Sequence, residues 1–142
     1  MKRENKKVVA GGTFDILHQG HKALFKKAFT LGKMTIGLTS DKFARKTKKR
    51  RVKKFNKRKD SLKKFCLKNF SALPKIRKIE NIFGFALKED FDYIVVSPET
   101  YKNAVLINKE RRKIRKKPIK IIKIKFVLDK KGKPISSSRL LK

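Results

Sequence analysis

A short apolar run, Val8-Val9-Ala10, ends on two glycines and leads into a helix-like segment over residues 20–31. The joining stretch, Gly11-Gly12-Thr13-Phe14-Asp15-Ile16-Leu17-His18-Gln19-Gly20-His21, constrains the fold more than any other part of the chain. A strand, a glycine turn and a helix start together make a phosphate cradle. The turn lets backbone N–H groups approach an anion, and the helix start favours negative charge. His18 and His21 stand three residues apart, so on a helix both face the same side. The pattern points to a nucleotide phosphate as the anion.

The neighbouring segments extend this unit. Over 20–31, Ala23, Leu24, Ala28 and Leu31 make an apolar stripe broken by Lys27, and Gly32 follows as a stop. Residues 34–38 read as a short, mostly apolar strand of the kind buried in a parallel sheet. Strand, helix, strand at this spacing is a βαβ unit with a right-handed crossover. From 42 to 64, 14 of 23 residues are Lys or Arg. The first half, 44–55, is expected to be an exposed and partly mobile loop until an anion arrives. Helical periodicity returns over 57–69. Further strands are expected at 76–82, 93–96 and 119–128, with a connector at 83–86. Ser97-Pro98-Glu99 resembles a helix opening, the alternative being a helix that begins nearer Lys102. A polar turn over 129–134 precedes a serine-capped last helix at 135–140.

A chain of 142 residues is long enough for one domain with a substantial core, here taken as 1–142. No apolar run approaches a membrane span, and the first residues lack the apolar centre of a signal peptide, so a cytoplasmic protein with no membrane partner is expected. The single cysteine, Cys66, sits beside Phe65 in a helical pattern and reads as a core residue. With two histidines and one cysteine, no protein metal site is expected. The formal charge of +32 attracts polyanions; weak, non-specific nucleic-acid binding at low salt follows, as does attraction of phosphorylated small molecules.

Gly11-Gly12-Thr13-Phe14-Asp15 with His18-Gln19-Gly20-His21 resembles the T/HxGH motif of the nucleotidyltransferase superfamily. Ile135-Ser136-Ser137-Ser138-Arg139 resembles that superfamily's second, C-terminal motif. Gly37-Leu38-Thr39-Ser40-Asp41-Lys42-Phe43-Ala44, Val95-Val96-Ser97-Pro98-Glu99-Thr100 and Ile107-Asn108-Lys109-Glu110-Arg111 sharpen the match. Together they are similar to the archaeal-type phosphopantetheine adenylyltransferases and to the matching domain of eukaryotic CoA synthase. The resemblance implies a Rossmann-like, doubly wound α/β fold with a five-stranded parallel sheet and helices on both faces. It implies ATP and 4′-phosphopantetheine as substrates, Mg²⁺ as an aid, and dephospho-coenzyme A and pyrophosphate as products. Another small member of the superfamily, an FMN adenylyltransferase or a glycerol-3-phosphate cytidylyltransferase, is the alternative.

Attack by a phosphate oxygen on the α-phosphorus of ATP gathers negative charge, so donors and cations are needed and a protein nucleophile is not. On the resemblance, His21 donates to the α-phosphate and His18 reaches the ATP phosphates beside it. Gly20 keeps the helix start clear, and Gly11 and Gly12 allow close approach of the ligand. Thr13 bridges the incoming phosphate and the α-phosphate. Phe14 packs beside the adenine–phosphate corner or anchors the turn in the core. Asp15 orients the turn or caps the helix. Ser136, Ser137 and Ser138 are expected on the β and γ phosphates, and Arg139 either contacts the triphosphate or supports the loop. Lys46 is preferred among Lys42, Arg45, Lys46, Lys48 and Lys49 as the cation from the loop after strand two. Arg58 is expected on the phosphate of phosphopantetheine, and Asn108 and Arg111 near the nucleotide. Two departures stand out. The stretch 80–85 lacks the Gly-Pro found in relatives near the pantetheine arm. The chain also stops soon after the second motif, so closure over ATP is expected to be poorer or to need another subunit.

Overall fold

The computed structural model describes residues 6–48 and 51–125. In chain order they form β1 (Lys7–Gly12), α1 (Gln19–Leu31), β2 (Lys33–Thr39), α2 (Asp41–Thr47), α3 (Phe55–Phe70), β3 (Lys75–Ile79), β4 (Tyr93–Val96), α4 (Tyr101–Lys113) and β5 (Lys120–Lys123). The strands make one sheet in the order β3-β2-β1-β4-β5, every neighbouring pair parallel. Val8 lies opposite Met34 on one side and Tyr93 on the other, which places β1 at the centre.

Both faces of the sheet are covered, which is why its central strands read as unbroken apolar runs. Val8, Ala10, Met34, Ile36, Leu38 and Val95 pack on one side with Leu24, Phe25 and Ala28 of α1 and Leu62 and Cys66 of α3. Val9, Ile94 and Val96 point the other way, against Ala104 and Ile107 of α4. The expected doubly wound five-stranded sheet is therefore present. Cys66 is buried, and burial pushes its thiol up to about 11, so it packs as a small apolar group.

Element boundaries near the site differ from the sequence expectation or decide between its alternatives. Residues 41–47, expected in part as loop, are helical. Ser40 caps that turn by accepting from the Phe43 N–H at 3.1 Å, Asp41 lies in its first turn, and Arg45 and Lys46 lie in its last. The next helix begins at Phe55 because the Asp41 carboxylate accepts from the Phe55 N–H at 2.8 Å. β3 ends at Ile79, since Asn81 Oδ1 accepts from the N–H groups of Phe83 and Gly84 and turns the chain. Ser97–Thr100 is a turn closed by Ser97 N–H on Thr100 Oγ1 (3.1 Å), so α4 starts at Tyr101, as the alternative had it. The expected strand over 119–128 is β5 as far as Lys123; residues 126–128 and the elements expected beyond them lie outside the described residues. Among the described residues, no helix is long and apolar enough to cross a membrane.

Candidate active site

β1 leads to β2 on one side of the sheet while β4 lies on its other side, so the topology reverses beside β1. In an open parallel sheet a crevice opens beyond the carboxyl ends of the strands at such a point. The ends of β1 (Gly12), β2 (Thr39) and β4 (Val96) meet there, with the N-terminus of α1.

His18 is the N-cap of α1. Its extended backbone (φ −145°, ψ −175°) lets Nδ1 accept from the Gly20 N–H at 3.0 Å. His21, at the third helical position, returns the favour: its Nδ1 accepts from the His18 N–H at 3.3 Å. This is a capping box built from two imidazoles in place of the usual hydroxyl and carboxylate. The consequence is chemical. An imidazole whose Nδ1 accepts is neutral and carries its proton on Nε2, so each ring keeps one donor for a ligand. The rings stack at 3.9 Å between centroids, and His21 also meets the edge of Phe14 at 5.1 Å. Burial, then the neighbouring His18, then the charge of Lys48 push His21 down to about 3. Burial lowers His18 as well, with Glu99 of the β4–α4 turn pulling the other way. A Cβ on Gly20 would lie 2.8 Å from His18 Cε1, so this glycine protects the cap geometry.

Thr13 and Thr39 close the floor of the crevice. The Thr39 hydroxyl donates to Thr13 Oγ1 at 3.0 Å. Behind them lies Arg58, with no exposed surface. Its Nη1 donates to the Thr13 carbonyl (3.1 Å) and to Thr39 Oγ1 (3.2 Å), its Nε to the Lys53 carbonyl (2.7 Å), and its Nη2 to Asp41 Oδ1 (3.1 Å). Arg58, expected to touch the phosphate of the acceptor, is instead a buried brace for the turn that carries Thr13. For Phe14 the structure selects the second of the two alternatives, the anchor in the core, over a place at the adenine–phosphate corner. The residue is 5% exposed, packs on Phe25 and under His21, and adopts φ 48°, so it anchors the turn in the core and offers no face to adenine. Its ring would lie 3.0 Å from a Cβ on Gly12, which explains why that position is glycine.

The basic stretch is fastened to the site by two aspartates. Asp15 Oδ1 accepts from the Lys53 N–H at 2.9 Å, and Asp41 holds both Phe55 N–H and Arg58. Partial burial alone would raise the Asp41 carboxyl. The hydrogen bonds from Arg58 and Phe55, helped by the charges of Arg58 and Lys54, outweigh it and hold the group below its usual range. A cavity of about 450 Å³ opens between α2 and α3, walled by Asp41 and by Arg45, Arg51, Lys53, Lys54 and Lys57. Lys46 is exposed on α2, while Lys48, half-buried at its end, is the lysine whose charge registers on His21. Lys49 and the second motif, Ser136, Ser137, Ser138 and Arg139, lie outside the described residues.

Asn108 and Arg111 are not at this crevice. α4 runs back along the sheet, and Asn108 exchanges two 2.8 Å bonds with the backbone of Ile119, just before β5 begins. Arg111, 1% exposed, donates to the carbonyls of Ala86, Leu87, Glu89 and Lys117 and to Asp90 Oδ1, just before β4 begins. Both therefore sit at the amino ends of the strands, opposite the imidazoles. Their burial satisfies loop carbonyls that would otherwise be orphaned. Sequence reasoning missed Thr39 and Asp41 as parts of the site. The signal was there: both stand at the carboxyl end of a predicted parallel strand, the edge where ligands bind. Among the described residues no group of three or more His, Cys, Asp or Glu could hold a metal ion.

Comparison with known proteins agrees with this fold. Residues 9–142 match the cytidylyltransferase-like family. A phosphopantetheine adenylyltransferase of Archaeoglobus fulgidus is 44% identical over 136 residues, covering 94% of this chain and 91% of the relative. One from Pyrococcus furiosus is 46% identical over 141 residues, covering 97% and 88%. A solved structure of a protein of unknown function from Archaeoglobus fulgidus superposes with a TM-score of 0.81 at 40% identity, covering 92% of this chain and 99% of that one.

Proposed function

The chain belongs to the cytidylyltransferase-like family and, within it, to the archaeal phosphopantetheine adenylyltransferases, and from that premise we infer how its site works. The enzyme transfers the adenylyl group of ATP to 4′-phosphopantetheine, giving dephospho-coenzyme A and pyrophosphate. An oxygen of the acceptor phosphate attacks the α-phosphorus, and the bond from that phosphorus to the bridging oxygen breaks as pyrophosphate departs. The attacking phosphate is already an anion near neutral pH, so no general base is needed. The protein's task is positioning and charge stabilisation.

The observation that carries this reading is the pair of neutral imidazoles at the start of α1, each with Nε2–H left to donate. His21 gives its proton-bearing nitrogen to the α-phosphate oxygens as they gain charge. His18 holds the phosphates beside it, with Gly11, Gly12 and Gly20 leaving room for close approach. Thr13 donates between the two reacting phosphates. Lys46 and Lys48 extend from α2 and its end as cations for the triphosphate. The cations around the 450 Å³ cavity take the part first given to Arg58, drawing in the phosphate of the acceptor. Ser136, Ser137, Ser138 and Arg139 complete the hold on the β and γ phosphates. The described residues do not offer the ligand set for a protein-held metal. Mg²⁺ commonly keeps its waters and rides on substrate phosphates, so it belongs with the nucleotide.

Purified protein given ATP and Mg²⁺ with 4′-phosphopantetheine, FMN or glycerol 3-phosphate in separate reactions should release pyrophosphate only with the first. Release with FMN alone would move the acceptor assignment to the flavin enzymes.

A further inference from the structure

Arg58, Thr39 and Thr13 form a chain of hydrogen bonds that runs outward from the guanidinium. A guanidinium can donate and cannot accept. Nη1 of Arg58 donates to one lone pair of Thr39 Oγ1 at 3.2 Å, and that hydroxyl donates its single proton onward, to Thr13 Oγ1 at 3.0 Å. Thr13 Oγ1 is then an acceptor toward the interior and keeps its own proton for the crevice. The same Nη1 fixes the Thr13 carbonyl at 3.1 Å, so backbone and hydroxyl are held by one group. Arg58 is itself locked by Asp41, the Lys53 carbonyl and complete burial. A buried, charge-started chain of this kind polarises each successive O–H.

We propose that Thr39 is a positioning residue: it relays the orientation imposed by Arg58 so that the Thr13 hydroxyl meets the reacting phosphates as a donor. The proposal rests on the adenylyl-transfer reading given above. It explains a fully buried arginine behind the turn that carries Thr13. It also explains a threonine at the end of β2, where a valine of the same shape would satisfy packing.

The test is a double-mutant cycle on pyrophosphate release with Thr39→Val, Thr13→Val and the pair. Thr39→Val should lower kcat about tenfold with the KM for ATP within twofold, and Thr39→Ser should restore kcat to within threefold of wild type. In the Thr13→Val background, Thr39→Val should cost no more than twofold further. A structural role would make the two losses multiply, and full multiplication overturns the relay; so does a Thr39→Val enzyme with wild-type kcat. If Thr39→Val does not fold by circular dichroism, Thr39→Ala replaces it in the same cycle. Should the wild type adenylylate no acceptor, the functional reading fails by itself. The relay is then read from structure: a crystal structure of Thr39→Val should show the Thr13 side chain turned to a different rotamer, and an unmoved Thr13 side chain overturns it.

Discussion

Replacing His21 with alanine removes two separable contributions, and the geometry assigns each a size. The first is structural. Nδ1 accepts a 3.3 Å bond from the His18 N–H, and the ring is stacked on His18 and edged by Phe14. A long capping bond and two ring contacts contribute about 1–2 kcal/mol together. For a domain of this size that lowers the melting temperature by roughly 3–8 °C. The second is catalytic. Nε2–H is a preorganised donor on oxygens that gain charge in the transition state, and losing one such donor reduces turnover by about 10²–10³-fold. The loss should fall on kcat with the KM for ATP changed far less, because the bond strengthens as the pentavalent state forms. Pyrophosphate release at saturating substrates, beside a thermal melt of the same sample, separates the two contributions. A folded His21→Ala enzyme with kcat within threefold of wild type would refute the role of His21.

Three further outcomes follow from other parts of the molecule. Arg111→Met strips donors from four loop carbonyls and should destabilise the fold by about 2–4 kcal/mol in urea titration, with kcat/KM unchanged in the surviving folded protein. Gly20→Ala sets a Cβ 2.8 Å from His18 Cε1 and should raise the KM for ATP at least tenfold while shifting stability by less than about 1 kcal/mol. Stability should also fall with acid before the carboxylates titrate. The unfolded chain protonates both imidazoles near 6.5, the folded one holds His21 neutral down to about 3, and His18 is lowered too. The unfolded state therefore binds more protons below pH 6.5, and the sign is loss of stability as pH drops, on the order of 1–2 kcal/mol from His21 between pH 6.5 and 5, with the solvent-screened His18 adding in the same direction. Urea midpoints across that range check it, and His21→Ala should flatten the slope.

The chemistry of the site was legible where it depended on local chain geometry. A strand, two glycines and two histidines three residues apart specify a helix start with imidazoles on one side, and the structure has it. The sheet followed from the same logic, since apolar runs at βαβ spacing leave few topologies. The failures share a different cause. Arg58, Asn108 and Arg111 are polar residues in motif-bearing stretches, and sequence alone does not say whether such a side chain faces ligand or interior. Arg58 is turned inward by Asp41, Thr39 and two backbone carbonyls contributed by other segments. Arg111 stands at the far end of α4, a position set by the helix's direction along the sheet. Within the basic stretch, 44–47 was misjudged as loop for a related reason, while 51–54 carries no helix or strand, as expected. The stretch's helix-forming and fastening contacts come from Ser40 and Asp41, just before the run of charge, and from Asp15, 38 residues before the Lys53 it holds.

The central claim is that His21 is a neutral donor through Nε2 at every pH where the enzyme works. Nitrogen-15 NMR of the imidazoles tests it directly, because the two ring nitrogens and the two charge states have distinct shifts. The spectrum should show His21 with the proton on Nε2, unchanged from pH 8 to pH 5, and that resonance should move when ATP is added. A His21 that titrates near 6.5, or one carrying its proton on Nδ1, would contradict the account.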